Sequence, residues 1–358
     1  CVLHASGAVL WLLHCPRRQL RHFVVGPALA TSTLHQHHRP DIKVMEIAPL
    51  HLEISTAPDD GVAYWTDTAD GVRVRIGVWK PEEASHGTVL VFPGRGDYIE
   101  LHGTLIADLV QAGYSAMIVE WRGHGLSGRT AKNPKVGHVE NFSYYQRDVA
   151  AMTGAAQRLD LPKPWYLIGH SMGACIGLRS LMNGLHVEAA ALSAPMFDIH
   201  MASYERVAAR PLTWAMRAIG KGEVYAPGFN DNSYVFRNDF EGNTLTNSPE
   251  NYTRWIMQGR TEPELHIGGP SMSWLYAAMD ETRSLSKLPS PDLPCVSLCG
   301  DQDETVGVDA IRERMSRWPK GKLEMISDAK HELFLETPDV RQAVMGKILE
   351  LFAATSHP

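Results

Sequence analysis

The sequence predicts an α/β protein with a mostly parallel sheet, helices on both faces and an inserted helical lid. From residue 60 onward, apolar runs typical of strands alternate with helical segments, which is the pattern of repeated βα units. The pentapeptide Gly-His-Ser-Met-Gly at residues 169–173 directly follows one of these strands. About 100 residues then separate two later strands, far more than a usual connection, and this segment is the predicted lid.

Two patterns identify the strands. Residues 72–79 alternate apolar and polar side chains, as in a half-buried strand. Residues 88–92 form a continuous apolar run that ends at Pro93-Gly94, as in a strand buried on both faces. Strands are predicted over residues 72–79, 88–92, 115–121, 165–168, 189–193, 294–299 and 323–326. Helices are predicted over residues 98–112 and 142–159, after residue 173, and from Ser248-Pro249 onward.

The pentapeptide at residues 169–173 has the composition of a turn that presents a nucleophile. A strand, Gly-x-Ser-x-Gly and a helix of small residues together make a sharp reversal in which Ser171 is strained and exposed. Side chains at Gly169 and Gly173 would clash in such a turn, and the helix N-terminus supplies N–H groups that stabilise an oxyanion. The alternative is an ordinary turn between a strand and a helix, because short Gly/Ser patterns also arise by chance.

The loop after residues 88–92 is the expected source of a second oxyanion donor. It reads Pro-Gly-Arg-Gly-Asp-Tyr over residues 93–98, and its glycines let the backbone pass close to a reacting carbonyl. The expected donors are the backbone N–H groups of Arg95 and Met172, and the alternative is an ordinary Gly/Pro turn. For the Arg95 side chain, a salt bridge to Asp97 is favoured over contact with a substrate phosphate.

A serine nucleophile needs a base and an acid that orients the base, and both follow the pentapeptide in the expected chain order. The acid lies in the loop after the penultimate predicted strand, where Asp301 and Asp303 are both candidates and either can instead cap the next helix. His331 follows the last predicted strand and is the expected base. His124 and His170 are interpreted as loop or packing residues.

Several motifs beyond the nucleophile turn occur along the chain, at residues 92–96, 121–128, 137–142, 245–246, 268–274 and 300–303 and at His331. Together they resemble the α/β-hydrolase superfamily, in the branch of serine hydrolases that holds monoacylglycerol lipases and bacterial lysophospholipases. In that family the acid is the aspartate three residues after a glycine, which implies Asp303. The Pro-Gly-Arg loop is similar to the bacterial lysophospholipases, where monoacylglycerol lipases usually have His-Gly. The resemblance covers residues 60–355.

The resemblance implies the α/β-hydrolase fold with a lid inserted into the core. The expected core comprises residues 45–195 and 291–358, with the lid at residues 196–290. Residues 1–44 hold six of the 17 histidines and begin with Cys; they are expected to be a disordered upstream extension, with translation starting at Met45. The lid is expected to form an apolar pocket for one acyl chain, although its Met and Trp residues also suit simple packing onto the core.

The composition is that of an ordinary globular enzyme, with 44% apolar and 21% charged residues. Residues 1–44 carry five basic residues against one acidic residue, so the rest of the chain carries 29 against 39. A body this acidic argues against nucleic acid as a partner. The five cysteines match neither a zinc site nor a disulfide scaffold, which favours buried free thiols in a reducing compartment.

These features predict a carboxylic ester hydrolase with Ser171 as nucleophile, His331 as base and Asp303 as acid, and with no cofactor and no metal. The expected reaction is hydrolysis of the single acyl chain of a lysophospholipid through an acyl-enzyme. A monoacylglycerol or small-ester substrate, acyl transfer to an alcohol, and a non-enzymatic binding protein are the alternatives. The expected setting is the bacterial cytoplasm, with a small lipid substrate, no obligate protein partner, and peripheral contact with the inner membrane left open.

Overall fold

The computed structural model describes residues 45–83, 85–201 and 203–355, with the backbone alone at residues 203–206. The predicted disordered extension at residues 1–44 lies outside these described residues. Three of the five cysteines lie within them, and all three are buried free thiols, as the sequence predicts: Cys175, Cys295 and Cys299.

Nine strands form one sheet in the described part of the chain: β1 (Ile47–Ala48), β2 (Val62–Asp67), β3 (Arg73–Trp79), β4 (Thr88–Phe92), β5 (Ser115–Val119), β6 (Trp165–His170), β7 (Ala190–Ser193), β8 (Cys295–Gly300) and β9 (Gly321–Ile326). Their spatial order is β1-β2-β3-β5-β4-β6-β7-β8-β9. Strands β4 to β9 are parallel to their neighbours among themselves, whereas β1, β2 and β3 pair antiparallel at one edge. The mostly parallel sheet is thereby confirmed, and β1 and β2 are additions to the predicted strands.

Helices cover both faces of this sheet. The described helices are α1 (Gly103–Gln111), α2 (Tyr145–Arg158), α3 (Met172–Met182), α4 (Ser203–Ala218), α5 (Pro249–Thr261), α6 (Met272–Ser286), α7 (Val308–Ser316) and α8 (Pro338–Thr355). Apolar side chains of α1 and α8 pack on one face, and those of α2, α3, α6 and α7 pack on the other. The segment predicted as one helix over residues 98–112 is a 3₁₀ turn at Ile99–His102 followed by α1.

Strand β4 shows how the sequence pattern produces this layered core. Successive side chains of a strand point to opposite faces, and all five residues of β4 are buried. Val89 and Val91 contribute to the cluster beneath α1 and α8, whereas Leu90 and Phe92 contribute to the cluster beneath α2 and α3. The continuous apolar run is therefore the signature of a central strand covered on both sides.

Helices α4, α5 and α6 belong to the long segment between β7 and β8. Ser248 caps α5 by accepting the Asn251 N–H at 3.2 Å, with Pro249 at the first helical position, as the sequence predicts. Helix α6 buries Trp274 and Leu285 in the same cluster as α2 and α3. The role of the segment as a lid stays a prediction. No helix within the described residues combines the length and the apolar character needed to cross a bilayer.

A buried ion network lies where the paired ends of β3 and β5 meet the loop after β4. The Arg75 guanidinium donates to Glu100 at 2.7 and 2.9 Å and to Glu120 at 2.9 Å, and the three side chains are fully buried. Glu120 also accepts the N–H of Ile99 at 3.1 Å and that of Leu126 at 2.9 Å. Burial opposes the charge on Arg75, but the two glutamates outweigh it and raise the pKa of the guanidinium. The network ties the loop after β5 to the turn after β4.

We expect Arg75→Met to lower the free energy of unfolding by about 3–5 kcal/mol, because it leaves two buried carboxylates without their counter-charge. Denaturant unfolding would measure the loss. The matched control is Arg312→Met, which removes an arginine that is 57% exposed and is expected to change stability by no more than about 0.5 kcal/mol. Equal stability of the two variants would contradict the assigned role of the network.

Candidate active site

Ser171 lies in the turn between β6 and α3, in a backbone conformation that L residues rarely adopt. Its φ is 50° and its ψ is −116°, and such strain persists only where surrounding contacts enforce it. The Ser171 N–H donates to the Ser193 carbonyl at 2.9 Å, and the Ser171 carbonyl accepts the Met196 N–H at 3.0 Å. The serine side chain keeps partial exposure, so the turn presents a hydroxyl that a substrate can reach.

Two glycines make this turn sterically possible. A Cβ at Gly173 would overlap the carbonyl oxygens of Phe92 and Pro93 at the end of β4. A Cβ at Gly169 would lie 2.8 Å from the Cα of Ala174. Because the opposing atoms are backbone, no change of rotamer relieves either contact. The nucleophile turn therefore packs directly against the loop that follows β4.

Three side chains from different strand ends meet at this turn. The His331 Nε2 lies 2.9 Å from the Ser171 Oγ, and the His331 Nδ1 lies 2.8 Å from the Asp303 Oδ2. With the ring proton on Nδ1, the imidazole donates to Asp303 and accepts the Ser171 hydroxyl proton. Asp301, the other candidate acid, is exposed, and its carboxylate accepts the Ala329 N–H instead. The structure thus brings together Ser171, His331 and Asp303 in a hydrogen-bonded series.

Electrostatics within the series favour an ionised aspartate and a basic imidazole. Burial opposes ionisation of Asp303, but His331 and the N–H groups of Thr305 and Val306 outweigh it and lower the pKa of the carboxyl. Burial likewise disfavours a charged His331, yet Asp303 outweighs it and raises the pKa of the imidazole. One Asp303 oxygen accepts the N–H groups of Thr305 and Val306 in the loop after β8, and the other faces the histidine. Neither aspartate caps the next helix, α7, whose N-cap is Gly307.

The backbone N–H groups of Arg95 and Met172, which the sequence predicts as oxyanion donors, lie on the two segments that meet at Ser171. Met172 is the first residue of α3, so its N–H has no carbonyl to bond within the helix. Within the described residues, the Arg95 N–H also makes no hydrogen bond to another part of the chain. A Cβ added to Gly94 would lie 3.4 Å from the Ser171 Cβ, so the loop that carries Arg95 touches the nucleophile.

Asp97 holds that loop in position. Its Oδ2 accepts the Gly94 N–H at 2.7 Å and lies 3.0 Å from the His102 Nε2. Burial opposes the ionisation of Asp97, but His102 outweighs it and keeps the pKa of the carboxyl below its usual value. The residue expected to pair with the Arg95 side chain therefore has a different partner.

The salt bridge predicted between Arg95 and Asp97 is wrong. The Arg95 Nη1 instead donates to the Gly268 carbonyl at 3.1 Å, and the guanidinium lies over the Trp274 ring at 5.6 Å from its centroid. The physical reason is that the Asp97 carboxylate already accepts from a backbone N–H and a histidine on its own side of the loop. The Arg95 side chain extends toward the segment between β7 and β8.

His170 takes a more central position than a packing residue suggests. It is the last residue of β6, and its ring centroid lies 5.0 Å from that of His331. Its Nδ1 lies 3.2 Å from the Ser193 Oγ. The His170 Nε2 lies 3.0 Å from a Glu332 carboxylate oxygen, but the pair does not meet hydrogen-bond geometry. The adjacency of His170 to Ser171, and of Glu332 to His331, is the sequence signal that could have identified this buried pair.

Two groups of side chains within the described residues have the spacing of metal ligands. One is the buried set His170, His331 and Glu332, whose ligand atoms lie within 4.8 Å of one another. Both nitrogens of His331 already face Ser171 and Asp303, so a metal bound there would displace one of those contacts. The other group lies away from the nucleophile and comprises His51, Glu53 and Glu262.

The sheet order, the strained serine turn and the residues at the strand ends define an α/β hydrolase. The protein family described as "Serine aminopeptidase, S33" matches residues 83–338, and the chain belongs to this family. The chain is 28% identical to lysophospholipase L2 of Escherichia coli K12 over 282 residues, covering 75% of this chain and 81% of that protein. It is 26% identical to a probable lysophospholipase L2 of Haemophilus influenzae over 272 residues, covering 75% and 84% respectively.

The fold comparison agrees with the sequence comparison. A soluble variant of monoglyceride lipase from Saccharomyces cerevisiae superposes with a TM-score of 0.65 at 18% identity, covering 82% of this chain and 95% of that chain. At this identity the likeness shows the fold alone. With the family match and the two curated relatives, the chain is an ester-hydrolysing member of the α/β hydrolases.

We expect Gly173→Ala to destabilise the protein and to lower kcat by about 100-fold, because relieving the overlap with two carbonyl oxygens displaces the serine turn by a sizeable fraction of an ångström. Thermal unfolding and ester hydrolysis would be measured together. Gly154→Ala in α2 is the control, since its added Cβ meets at 3.5 Å only the end of the flexible Arg158 side chain. A Gly173→Ala protein as active and stable as this control would refute the steric interpretation.

We expect Asp303→Asn to lower kcat by about 10³–10⁴-fold, whereas Asp301→Asn leaves hydrolysis nearly unchanged. The base must be neutral to accept a proton, so activity rises as pH increases through the pKa of His331. Because that pKa is raised above its ordinary value of 6.5, the acid limb of kcat/KM should lie above pH 6.5 in the wild type. In Asp303→Asn, burial still lowers the pKa of His331 but Asp303 no longer raises it. The acid limb of kcat/KM should therefore move to lower pH.

The pH profile would be recorded with a water-soluble ester. A larger loss in Asp301→Asn than in Asp303→Asn would reassign the acid. An unshifted acid limb in Asp303→Asn would show that this carboxylate does not set the basicity of His331.

Proposed function

We propose that the protein hydrolyses the single acyl ester of a lysophospholipid through an acyl-enzyme on Ser171. The observation that carries this proposal is the series Asp303–His331–Ser171, joined by contacts of 2.8 and 2.9 Å at the strained turn. The E. coli and H. influenzae relatives are a lysophospholipase L2 and a probable lysophospholipase L2, which supports a lysophospholipid as the substrate class. The Pro-Gly-Arg loop supports the same branch of the superfamily.

The proposed reaction has two stages. His331 takes the Ser171 proton at Nε2 as the serine oxygen attacks the ester carbonyl, and Asp303 stabilises the imidazolium that forms. The N–H groups of Arg95 and Met172 stabilise the negative oxygen of the tetrahedral intermediate. The carbon–oxygen bond to the glycerol breaks, and His331 returns the proton to the leaving alcohol. A water molecule, deprotonated by His331, then releases the fatty acid and restores Ser171. These steps use protein groups and water alone.

The proposed setting is the cytoplasmic side of a membrane, with a small lipid as partner and no obligate protein or nucleic-acid partner. Apolar side chains exposed on or next to α4 support peripheral contact with a lipid surface. Val207 is 79% exposed, Trp214 60% and Ile219 65%. Trp side chains favour the boundary between water and lipid, where one end of the ring is apolar and the other is hydrated.

We expect the purified full chain to hydrolyse lysophosphatidylcholine with a higher kcat/KM than a monoacylglycerol of the same acyl chain or a short-chain ester. Ser171→Ala should lower turnover of every ester by about 10⁶-fold, because it removes the nucleophile. Fatty acid release measured by mass spectrometry would quantify all three substrates, and added acceptor lipid would reveal acyl transfer as a new ester product.

Negligible hydrolysis of lysophosphatidylcholine would overturn the proposed substrate, and preference for the monoacylglycerol would favour the lipase alternative. Unchanged hydrolysis in Ser171→Ala would overturn the catalytic assignment. The control is Ser316→Ala, which removes an exposed serine at the end of α7, away from the nucleophile turn, and should leave hydrolysis unchanged.

A further inference from the structure

The Arg95 side chain carries a positive charge with no carboxylate partner among the described residues. Its Nη1 donates to the Gly268 carbonyl at 3.1 Å and packs against Gly137, where an added Cβ would lie 2.8 Å from the same nitrogen. Burial lowers the pKa of the guanidinium, and Tyr145 and Asp97 only partly offset that effect. An arginine held in a partly buried position without a counter-charge costs stability unless a ligand supplies that charge.

Three further polar atoms around Arg95 lack a well-formed hydrogen bond. The His124 Nε2, the Tyr145 hydroxyl and the Trp274 Nε1 are buried and meet no hydrogen-bond geometry within the part of the chain that the structure describes, although the Trp274 indole approaches the Tyr145 hydroxyl closely enough to oppose the rise that burial causes in the pKa of the phenol. The exposed fractions of these side chains are 0%, 0% and 5%. Buried polar groups are almost always hydrogen-bonded, so three groups in one place without a well-formed hydrogen bond favour a polar occupant from outside the folded chain.

Their positions form one cluster beside the guanidinium. The Trp274 ring lies 5.6 Å below the Arg95 guanidinium, and the ring centroids of His124 and Tyr145 are 6.5 Å apart. Arg95 acts electrostatically on both His124 and Tyr145. The Arg95 backbone, meanwhile, borders the nucleophile turn. A group bound in this cluster would therefore be attached close to the ester that Ser171 attacks.

The hydrogen-bond donors and the acceptor of this cluster match the groups of a phosphorylated alcohol. The guanidinium, the phenol hydroxyl and the indole N–H are donors, which suits oxygens that only accept. Burial lowers the pKa of His124 to about 4, and its Nδ1 faces the Arg122 carbonyl at 3.0 Å. The Nδ1 therefore carries the proton and Nε2 is an acceptor at neutral pH, suited to a free hydroxyl such as the one on the glycerol of a lysophospholipid.

We propose that Arg95, Tyr145 and Trp274 bind the phosphate of the substrate head group and that His124 accepts its free glycerol hydroxyl. The site rests on the proposed lysophospholipid substrate, and it makes the Arg95 side chain the residue that distinguishes lysophospholipids from monoacylglycerols. Arginine suits this role because its planar fork binds phosphate oxygens in pairs. The same residue thus serves the reaction twice, with its backbone at the oxyanion and its side chain at the head group.

The test compares the kcat/KM values for two substrates as a ratio. A variant that weakens catalysis on both substrates equally does not change this ratio. We would measure kcat/KM for lysophosphatidylcholine and for a monoacylglycerol of the same short acyl chain, both below their micellar concentrations. Arg95→Gln should lower the ratio of the two values by about tenfold or more, the effect of losing a charge-assisted hydrogen bond. Tyr145→Phe removes a hydroxyl whose approach to the Trp274 indole does not meet hydrogen-bond geometry, and it should lower the ratio by a smaller factor with little effect on folding. Arg260→Gln, an exposed arginine of α5, should leave the ratio unchanged.

If Arg95→Gln leaves the ratio unchanged, either with full activity or with equal losses of kcat/KM on both substrates, the head-group site is overturned. Equal losses would mean that the arginine acts on the reaction at the ester or on folding. Thermal unfolding of each variant distinguishes an effect on the reaction from an effect on folding. If the wild type hydrolyses only the monoacylglycerol, the proposed function fails, and the phosphate site is then tested by inhibition instead of by substrate preference. In that case sn-glycerol 3-phosphate should inhibit p-nitrophenyl butyrate hydrolysis competitively in the wild type and Arg260→Gln, and about tenfold more weakly in Arg95→Gln. Equal inhibition of all three proteins would overturn the site independently of the substrate.

Discussion

Contact between the backbone of the nucleophile turn and the end of β4 is the constraint on which the rest of the site depends. Gly173 lies so close to the carbonyls of Phe92 and Pro93 that no side chain fits between them. This contact requires the parallel pairing of β4 with β6, in which Phe92 stands opposite Gly169. It places the loop that carries Arg95 beside Ser171, at the start of α3. The strain at Ser171 is thus held by packing that several strands share.

Buried charges around this contact form two pairs and one group of three, and each group holds a different part of the structure. Asp97 with His102 holds the loop after β4, Asp303 orients the His331 imidazole, and Arg75 with its two glutamates joins the paired ends of β3 and β5 to that loop. Such pairs are costly to desolvate, so they contribute orientation more than stability. Arg95 departs from this pattern, since its charge has no acidic partner among the described residues.

The parts of the site that follow from strand order could be predicted from the sequence. Ser171, Asp303 and His331 each follow a strand of the parallel sheet, and the carboxyl ends of such strands share one edge. The edge strands β1 and β2 were missed because two residues and a short mixed run carry little periodicity. The partner of Arg95 was predicted wrongly because sequence proximity favoured Asp97, whereas the actual contact, Gly268, lies in the inserted segment. No local pattern reports a contact that depends on how that segment packs.

The residues at the strand ends and the residues of the inserted segment also contribute to different parts of the proposed function, the first to the reaction and the second to the choice of substrate. Ser171, Asp303 and His331 follow strands of the sheet itself, and the close contact at Gly173 constrains the turn that carries Ser171. Two of the groups around the Arg95 guanidinium, the Gly268 carbonyl and the Trp274 ring, come instead from the segment between β7 and β8. If the proposed head-group site is correct, a change in that segment alters which head group fits while the contact between Ser171 and His331 stays intact. Related hydrolases with the same strand order can accordingly share the acyl-enzyme reaction and differ in substrate, which is why fold likeness alone does not identify the lipid.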